Sequence, residues 1–177
     1  FDHQHYGLVR SAESLQMSLN IPAVELLKRM GPLYFYGALK GMGITPHFQN
    51  SHIRPNLSMA LGGVGLSLAD LVQLYGCFAK EGQLQDLRFF ERGQDASSVY
   101  VLYPEAARKL TEMLTVNLLT LKGRFKDRRL ALKTGTSYGH RDALALAYDK
   151  RYTVGVWVGM PEGSSLGQAT GYDLAVP

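Results

Sequence analysis

The sequence has 177 residues, of which 46% are hydrophobic and 19% are charged. This composition fits one globular domain, or most of one, and excludes an intrinsically disordered chain. The net charge of +4 is too small to indicate nucleic-acid binding unless the basic residues cluster on one face. No apolar run reaches the length of about 18 residues that would predict a membrane span. The single cysteine, Cys77, excludes an internal disulfide.

The two ends of the sequence lack the features of natural termini. Residues 1–6 have no initiator methionine and neither the basic nor the apolar segment of a signal peptide. Residues 174–177 stop without a cap or a charged tail. We therefore expect the sequence to be part of a longer protein.

Helical patterns dominate the first part of the chain. A short helix is predicted over residues 11–17, with Ser11 as its N-cap. A second helix has Pro22 in its first turn and ends at Gly31, because proline suits the start of a helix and glycine its end. A third helix is predicted over residues 32–40.

Two stronger helices follow a predicted loop over residues 44–66. The first begins at Ser67, which forms a capping-box pattern with Asp70, and closes at Gly82. The second begins at Pro104. Apolar residues at helical spacing mark one side of it: Leu110, Met113, Leu114 and Leu118.

The composition then changes to that of β-strands. Apolar and β-branched runs predict strands over residues 128–136, 142–148 and 152–160, with connections short enough for antiparallel hairpins. The predicted fold class is α+β, with a helical part over about residues 8–120 and antiparallel strands over about residues 128–160.

The sequence Lys133-Thr134-Gly135-Thr136 closes the first of these strands. Lysine supplies a positive charge, threonine hydroxyls donate to carboxylates, and glycine lets a ligand backbone approach, so the segment suits an extended anionic ligand. Strand alternation places Lys133 and Thr136 on opposite faces. A local twist, or a ligand lying along the strand edge, has to reconcile this alternation with a single site.

Ser18 and Asn20 lie in the break between the first two helices. At such a break both side chains can point into one cleft, where the hydroxyl relays a proton and the amide orients a peptide. Serine and asparagine are also common helix caps for purely local reasons, so this pattern taken alone favours capping.

Together the two motifs resemble the Ser-x-Asn and Lys-Thr-Gly motifs of penicillin-binding proteins. Their surroundings, residues 18–24 and 133–143, are similar to the transpeptidase domain of the bifunctional class A members. Residues 61–63, 67–71 and 152–159 extend the similarity over nearly the whole chain. The sequence Ser-Tyr-Gly-His-Arg-Asp at residues 137–142 most resembles the 1C branch of Gram-negative bacteria.

The resemblance implies a penicillin-binding-protein/β-lactamase-like fold, in which helices flank a five-stranded antiparallel sheet. We expect the N-terminal part of that domain, with further strands, to lie before residue 1.

The implied activity is D,D-transpeptidation of peptidoglycan, an acyl transfer from stem peptides that end in D-Ala-D-Ala. The implied partners are stem peptides, β-lactam antibiotics, the upstream part of the domain and a glycosyltransferase domain. No cofactor, metal or nucleic acid is expected, and the implied location is the periplasmic side of a Gram-negative inner membrane.

The resemblance also assigns roles to individual residues. Ser18 would relay a proton between a lysine and the leaving group, and Asn20 would bind the substrate amide. Lys133 would assist the proton transfer and attract the terminal carboxylate. The backbone N–H of Thr136 would donate to the oxyanion. The substrate-binding residues implied by the third motif are Thr134, Gly135 and Thr136.

The nucleophile motif of the family, Ser-x-x-Lys, is absent from the sequence. No serine is followed three residues later by a lysine, and the nearest patterns are residues 51–54 and 77–80. The family's nucleophile lies upstream of Ser-x-Asn, so we expect it before residue 1 and expect the isolated chain to be inactive. Cys77 falls on the buried side or flank of its helix and is expected to be a core residue.

Other functions remain open at this point. A non-catalytic relative could bind cell-wall peptide or protein, and a D,D-carboxypeptidase or a β-lactamase shares the same motifs. Five of the eight residues at 122–129 are basic, and we interpret them as a solvated loop rather than a polyanion-binding patch. Asp2, His3 and His5 are interpreted as terminal surface residues rather than metal ligands. Residues 140–142 are interpreted as pairing across a hairpin rather than lining a cleft.

Overall fold

The computed structural model describes residues 6–50, 52–90, 98–117, 129–167 and 169–176. The helices are α1 (Ser11–Gln16), α2 (Asn20–Met30), α3 (Pro32–Gly41), α4 (Leu68–Ala79), α5 (Pro104–Leu114) and α6 (Gly171–Ala175). The strands are β1 (Gln83–Gln85), β2 (Ser98–Tyr100), β3 (Thr115–Asn117), β4 (Arg129–Thr136), β5 (Asp142–Tyr148) and β6 (Thr153–Gly159). No helix in these ranges has the length and the apolar surface that a bilayer crossing requires.

The five helices predicted from the sequence are present, and their ends follow local chemistry. At the start of α4 the Asp70 N–H donates to Ser67 Oγ over 3.0 Å and the Ser67 N–H donates to the Asp70 carboxylate over 3.3 Å, which confirms the capping box. The expectation for Ser11 is wrong, because Ser11 is already helical and Arg10 occupies the extended N-cap position. The predicted loop contains one 3₁₀ turn, at Leu57–Leu61.

The three predicted strands are confirmed as β4, β5 and β6, which pair antiparallel in chain order. The boundary at residue 120 between helices and strands is wrong. Helix α5 ends at Leu114, and β3 follows at once and pairs with the first three residues of β4. A second small sheet, β1 with β2, also lies within the segment assigned to helices. Strands of three residues are too short to show the alternation that predicts a strand.

The sheet is covered on both faces. Helix α4 packs against β5 and β6, and α5 packs against β4. The approach of α4 is close enough to require glycine in β6, since a Cβ at Gly155 would lie 2.6 Å from Val72 Cγ2. On the opposite face the short helix α6 contacts β4, β5 and β6.

A buried cluster joins the helices to the strand that carries the Lys-Thr-Gly motif. Its centre is Leu114, Ala131 and Tyr148, contributed by α5, β4 and β5. Partly buried side chains from three helices pack around that centre: Leu15, Tyr75, Phe78, Ala79 and Leu110. The cluster therefore fixes α1, which precedes Ser18, relative to β4, which carries Lys133.

Cys77 lies in this helical layer, on α4. It is 1% exposed, and burial raises the pKa of its thiol. A buried thiol with a raised pKa is a poor nucleophile. The expectation that Cys77 is a core residue is confirmed.

Candidate active site

Ser18 and Lys133 are brought together although 115 residues separate them in the sequence. The Lys133 ammonium donates a hydrogen bond to the Ser18 hydroxyl oxygen. A second hydrogen bond from Lys133 Nζ reaches the Thr134 carbonyl oxygen over 2.8 Å and orients the ammonium along β4. The two candidate proton-transfer groups are thus in direct contact.

The backbone places Ser18 at the end of α1 in a Schellman motif. The Leu19 N–H donates to the Ser14 carbonyl over 2.9 Å, and the Ser18 N–H donates to the Leu15 carbonyl over 3.2 Å. Ser18 occupies the C′ position of this motif with φ of 54°, in the left-handed region. Glycine is the usual residue there, and a side chain in that conformation costs about 1 kcal/mol. The strain makes Ser18 a candidate for a functional rather than a structural residue.

Capping does not explain the side chains of the Ser-x-Asn motif. The N-cap of α2 is Leu19, which offers no side-chain hydrogen bond, and Asn20 is the first residue within the helix. The Ser18 hydroxyl accepts from Lys133 rather than from the start of α2. The interpretation that the two polar residues are local caps is therefore not supported.

Lys133 lies in the middle of β4 and is partly buried between the sheet and the helical layer. Burial lowers the pKa of its ammonium below the ordinary value of 10.5, because the charged form loses hydration. No carboxylate among the described residues forms an ion pair with it. A lysine without a counterion and with a lowered pKa gives up a proton to a neighbouring oxygen or nitrogen more readily than a solvated lysine does.

The other residues of the motif follow the alternation of the strand. Lys133 faces Ser18 and the helices, whereas the Thr136 hydroxyl turns to the opposite face and accepts from the Gly171 N–H over 2.9 Å. Thr134 shares the register of this second face, and Gly135 is exposed. The alternation predicted from the sequence is present, with no twist that brings both side chains to one face.

One edge of β4 is open within the described part of the chain. Strand β3 pairs only with Arg129, Leu130 and Ala131, while β5 pairs along the other edge as far as Thr136. The backbone from Leu132 to Thr136 therefore has no strand neighbour on the β3 side among these residues. An unpaired edge is a template for an extended peptide.

Asn20 is less closely integrated than Ser18. It is partly buried at the start of α2, and its side chain forms no hydrogen bond with any residue that the structure describes. The structure thus brings Ser18 and Lys133 into contact and leaves the Asn20 amide available.

The turn between β4 and β5 holds further polar residues. The Asp142 carboxylate accepts from Trp157 Nε1 over 2.9 Å, which is a contact across neighbouring strands. His140 Nδ1 lies 3.1 Å from the Ala169 carbonyl oxygen. The side chains therefore contact β6 and the segment after it, and neither forms the contact across the β4–β5 hairpin that was expected from the sequence.

The sequence reasoning missed the segment that follows β6. Its residues 169–175 return to the end of β4, where Gly171 contacts Thr136. Thr170 and Asp173, a Thr-x-x-Asp pattern, start helix α6 and could have indicated it.

Three expectations fall on residues outside the described ranges: the surface placement of Asp2, His3 and His5, the position of Leu118 on α5, and the basic stretch up to Arg128. Within the described ranges no group of three or more histidine, cysteine, aspartate or glutamate side chains could hold a metal ion.

Comparisons with known proteins identify the family of the chain. The profile of the family described as "Penicillin binding protein transpeptidase domain" matches residues 2–165. Penicillin-binding protein 1C of Escherichia coli (strain K12) is 34% identical over 183 residues, which cover 100% of this chain and 23% of that protein. Penicillin-binding protein 1A of Aquifex aeolicus (strain VF5) is 28% identical over 191 residues, which cover 100% of this chain and 26% of that protein.

The fold also has a solved counterpart. The crystal structure of penicillin-binding protein 1A from Haemophilus influenzae superposes with a TM-score of 0.77 and 15% identity, covering 96% of this chain and 33% of that one. At this identity the likeness shows the fold alone, and it confirms helices flanking an antiparallel sheet. The chain spans about a quarter of the length of the two curated relatives. As its motifs predicted, the chain belongs to the penicillin-binding protein transpeptidase domain family, and it is similar to the 1C branch over its whole length.

Proposed function

We propose that this chain forms the proton-transfer and substrate-binding side of a peptidoglycan D,D-transpeptidase. The observation that carries the proposal is the hydrogen bond from Lys133 to Ser18. Burial lowers the pKa of Lys133, and Ser18 has a strained left-handed backbone. A hydroxyl that is hydrogen-bonded to a lysine, on a strand with an open edge, suits the transfer of a proton to or from a peptide bound at that edge.

In the proposed reaction a serine from outside the 177 residues attacks the carbonyl carbon of the penultimate D-Ala and gives its proton to a base that also lies outside these residues. The C–N bond to the terminal D-Ala then breaks. Ser18 passes its proton to the departing amine and takes one from the Lys133 ammonium, so the nitrogen leaves as a neutral amine. In the second half an amine of another stem peptide attacks the ester. Its proton returns through Ser18 to Lys133, and the serine is released as it takes back its own proton from the base outside these residues.

The substrate is proposed to lie along the open edge of β4. Its backbone would pair with the strand between Leu132 and Thr136, and its terminal carboxylate would bind the hydroxyls of Thr134 and Thr136. Lys133 adds positive charge close to that carboxylate. A ligand along the edge reaches groups on both faces of the strand, so the alternation of Lys133 and Thr136 is compatible with one site. Asn20 would orient the substrate amide.

The attacking serine is proposed to come from another part of a longer protein, since no Ser-x-x-Lys occurs in the sequence. The isolated chain would then bind stem peptides or β-lactams weakly without being acylated. We further propose that the longer protein carries a glycosyltransferase domain and is anchored in the inner membrane of a Gram-negative bacterium, with this domain in the periplasm.

The test is the intact mass, with peptide mapping, of the complete open-reading-frame product after incubation with benzylpenicillin. The proposal expects one penicilloyl adduct, on a serine outside these 177 residues, and no adduct on the 177-residue chain alone. No adduct on the folded complete protein would favour a non-catalytic cell-wall-binding relative. A second incubation, with stem peptides, distinguishes the reaction type. Shortened stem peptides with a free carboxyl group and no cross-linked product would indicate a D,D-carboxypeptidase.

A further inference from the structure

The Thr136 hydroxyl forms a hydrogen bond within the protein, in which it is the acceptor. Its oxygen accepts from the Gly171 N–H over 2.9 Å. A hydroxyl that accepts from a fixed amide keeps its own hydrogen on the side away from that amide, and a hydrogen so placed is available to another acceptor. Thr136 is exposed, so this acceptor can come from a ligand.

The Gly171 amide can reach Thr136 only because residue 171 has no side chain. A Cβ there would lie 2.4 Å from the Gly135 carbonyl oxygen and 2.7 Å from the Leu144 carbonyl oxygen, both of them backbone atoms. The start of α6 is thus pressed directly onto the paired ends of β4 and β5.

His140 holds the incoming segment in place from the β4–β5 turn. Its ring Nδ1 lies 3.1 Å from the Ala169 carbonyl oxygen, and its own carbonyl accepts from the Leu166 N–H over 2.7 Å. A carbonyl oxygen only accepts, so Nδ1 must carry a hydrogen in this contact. The backbone of His140 is in the left-handed region, with φ of 52°.

The segment is also fixed internally. The Asp173 carboxylate accepts from the Thr170 N–H over 2.9 Å and from the Thr170 hydroxyl over 2.6 Å. These bonds organise the first turn of α6, in which Gly171 follows directly after Thr170.

We propose that residues 169–175 act as a clamp that fixes the Thr136 hydroxyl as a hydrogen-bond donor toward the ligand carboxylate, with His140 as the positioning residue that holds the clamp. The inference rests on the proposed function, since the carboxylate is that of a stem peptide or a β-lactam. His140 does not contact the ligand and acts through Gly171 and Thr136.

The test compares His140→Gly with His140→Asn in the complete open-reading-frame product. Both residues tolerate positive φ, but only asparagine offers an N–H near the position of Nδ1. The measured quantity is the carboxylate preference: the acylation rate constant with a β-lactam that has a free carboxylate, divided by that with its methyl ester. We expect the preference to fall about 5-fold in His140→Gly, as for a weakened hydrogen bond to a charged group, and to stay within about 2-fold of wild type in His140→Asn.

Thr136→Val provides the control for the route of the effect. If His140 acts through the Thr136 hydroxyl, His140→Gly produces no further loss of preference in the Thr136→Val background. An equal preference in wild type, His140→Gly and Gly171→Ala would overturn the clamp and leave the proposed function intact. A wild-type protein that is acylated by neither compound would overturn the proposed function, and the clamp's ligand would be lost with it.

Discussion

The hydroxyl of Ser18 and the ammonium of Lys133 share a hydrogen bond across two different structural layers, one residue at the end of a helix and the other within a strand. Neither partner is in its ordinary state. Ser18 has a left-handed backbone, and burial lowers the pKa of Lys133. Both features affect the stability of the fold as well as the chemistry of the site.

Replacement of Ser18 should separate strain from function. Glycine adopts the left-handed conformation without the steric cost that alanine meets, so Ser18→Gly should be about 1 kcal/mol more stable than Ser18→Ala. Both variants lose the hydroxyl, and both should slow acylation of the complete protein by about 10²-fold or more. Urea unfolding and acylation rates measure the two quantities. Equal stability of the two variants would contradict the strain argument.

The stability of the chain should depend on pH through Lys133. At a pH below the pKa of Lys133 in both the folded and the unfolded chain, the folded state bears the full cost of burying the ammonium. That cost is relieved as the pH rises through the lowered folded-state pKa toward the ordinary value of 10.5. Lys133→Met removes this titration, so the free energy of unfolding of wild type minus that of the variant should increase with pH over this window.

Urea unfolding of both chains at several pH values between 7 and 10 checks this dependence. Lys150→Met, at an exposed lysine beyond β5, is the matched control for the loss of one positive charge. A difference between wild type and Lys133→Met that does not change with pH would refute the lowered pKa.

Two glycines should respond to alanine in opposite ways. Among the described residues a Cβ at Gly135 would meet only Leu144 Cβ, at 3.7 Å, so Gly135→Ala should change stability by less than about 0.5 kcal/mol. Its methyl group should still hinder a ligand at the strand. A Cβ at Gly171 would collide with backbone, so Gly171→Ala should cost about 1–3 kcal/mol. Thermal melts and β-lactam acylation rates together test the contrast. A large loss of stability in Gly135→Ala would show that this glycine serves the fold.

The buried pair Tyr148 and Thr111 should show an asymmetric response. Thr111 Oγ1 donates to the Ala107 carbonyl over 2.9 Å, so at its 2.9 Å contact with Tyr148 the tyrosine is the donor. Tyr148→Phe leaves Thr111 bonded to Ala107 and should lower the free energy of unfolding by about 1 kcal/mol. Thr111→Val leaves the buried tyrosine hydroxyl without its acceptor and should lower it by about 2 kcal/mol. Chemical denaturation of both variants measures the two costs, and equal costs would contradict the assignment of the tyrosine as donor.

The elements that the sequence predicted well are those with local signals. Helix α4 has its own cap at Ser67 and Asp70, and β4 to β6 have runs long enough to be recognised. Strand β3 lacks such a signal, because three residues gain strand structure only from pairing with β4. Arg10 rather than Ser11 became the cap of α1 because the backbone entering the helix, and not the side chain alone, decides that position.

The features of the candidate site also divide into those that the sequence predicts and those that depend on the folded structure. Motifs shared with a family predicted that Ser18 and Lys133 act together, and the structure places them in contact. The left-handed backbone of Ser18 could not be predicted, because serine is an unusual residue at a C′ position. The contact between Thr136 and Gly171 depends on where α6 returns to the sheet, which is a tertiary property that no local pattern near Thr136 encodes.

The break between α1 and α2 also limits how the sequence can change in length. Only residues 17–19 separate the two helices, and Ser18 is the middle one. Surface connections ordinarily accept insertions. Here the hydrogen bonds from the Ser18 N–H to Leu15 and from the Leu19 N–H to Ser14 fix the number of residues between α1 and Ser18, so one residue added before Ser18 would put another residue in the left-handed position. The length of this connection is therefore constrained by the contact between Ser18 and Lys133.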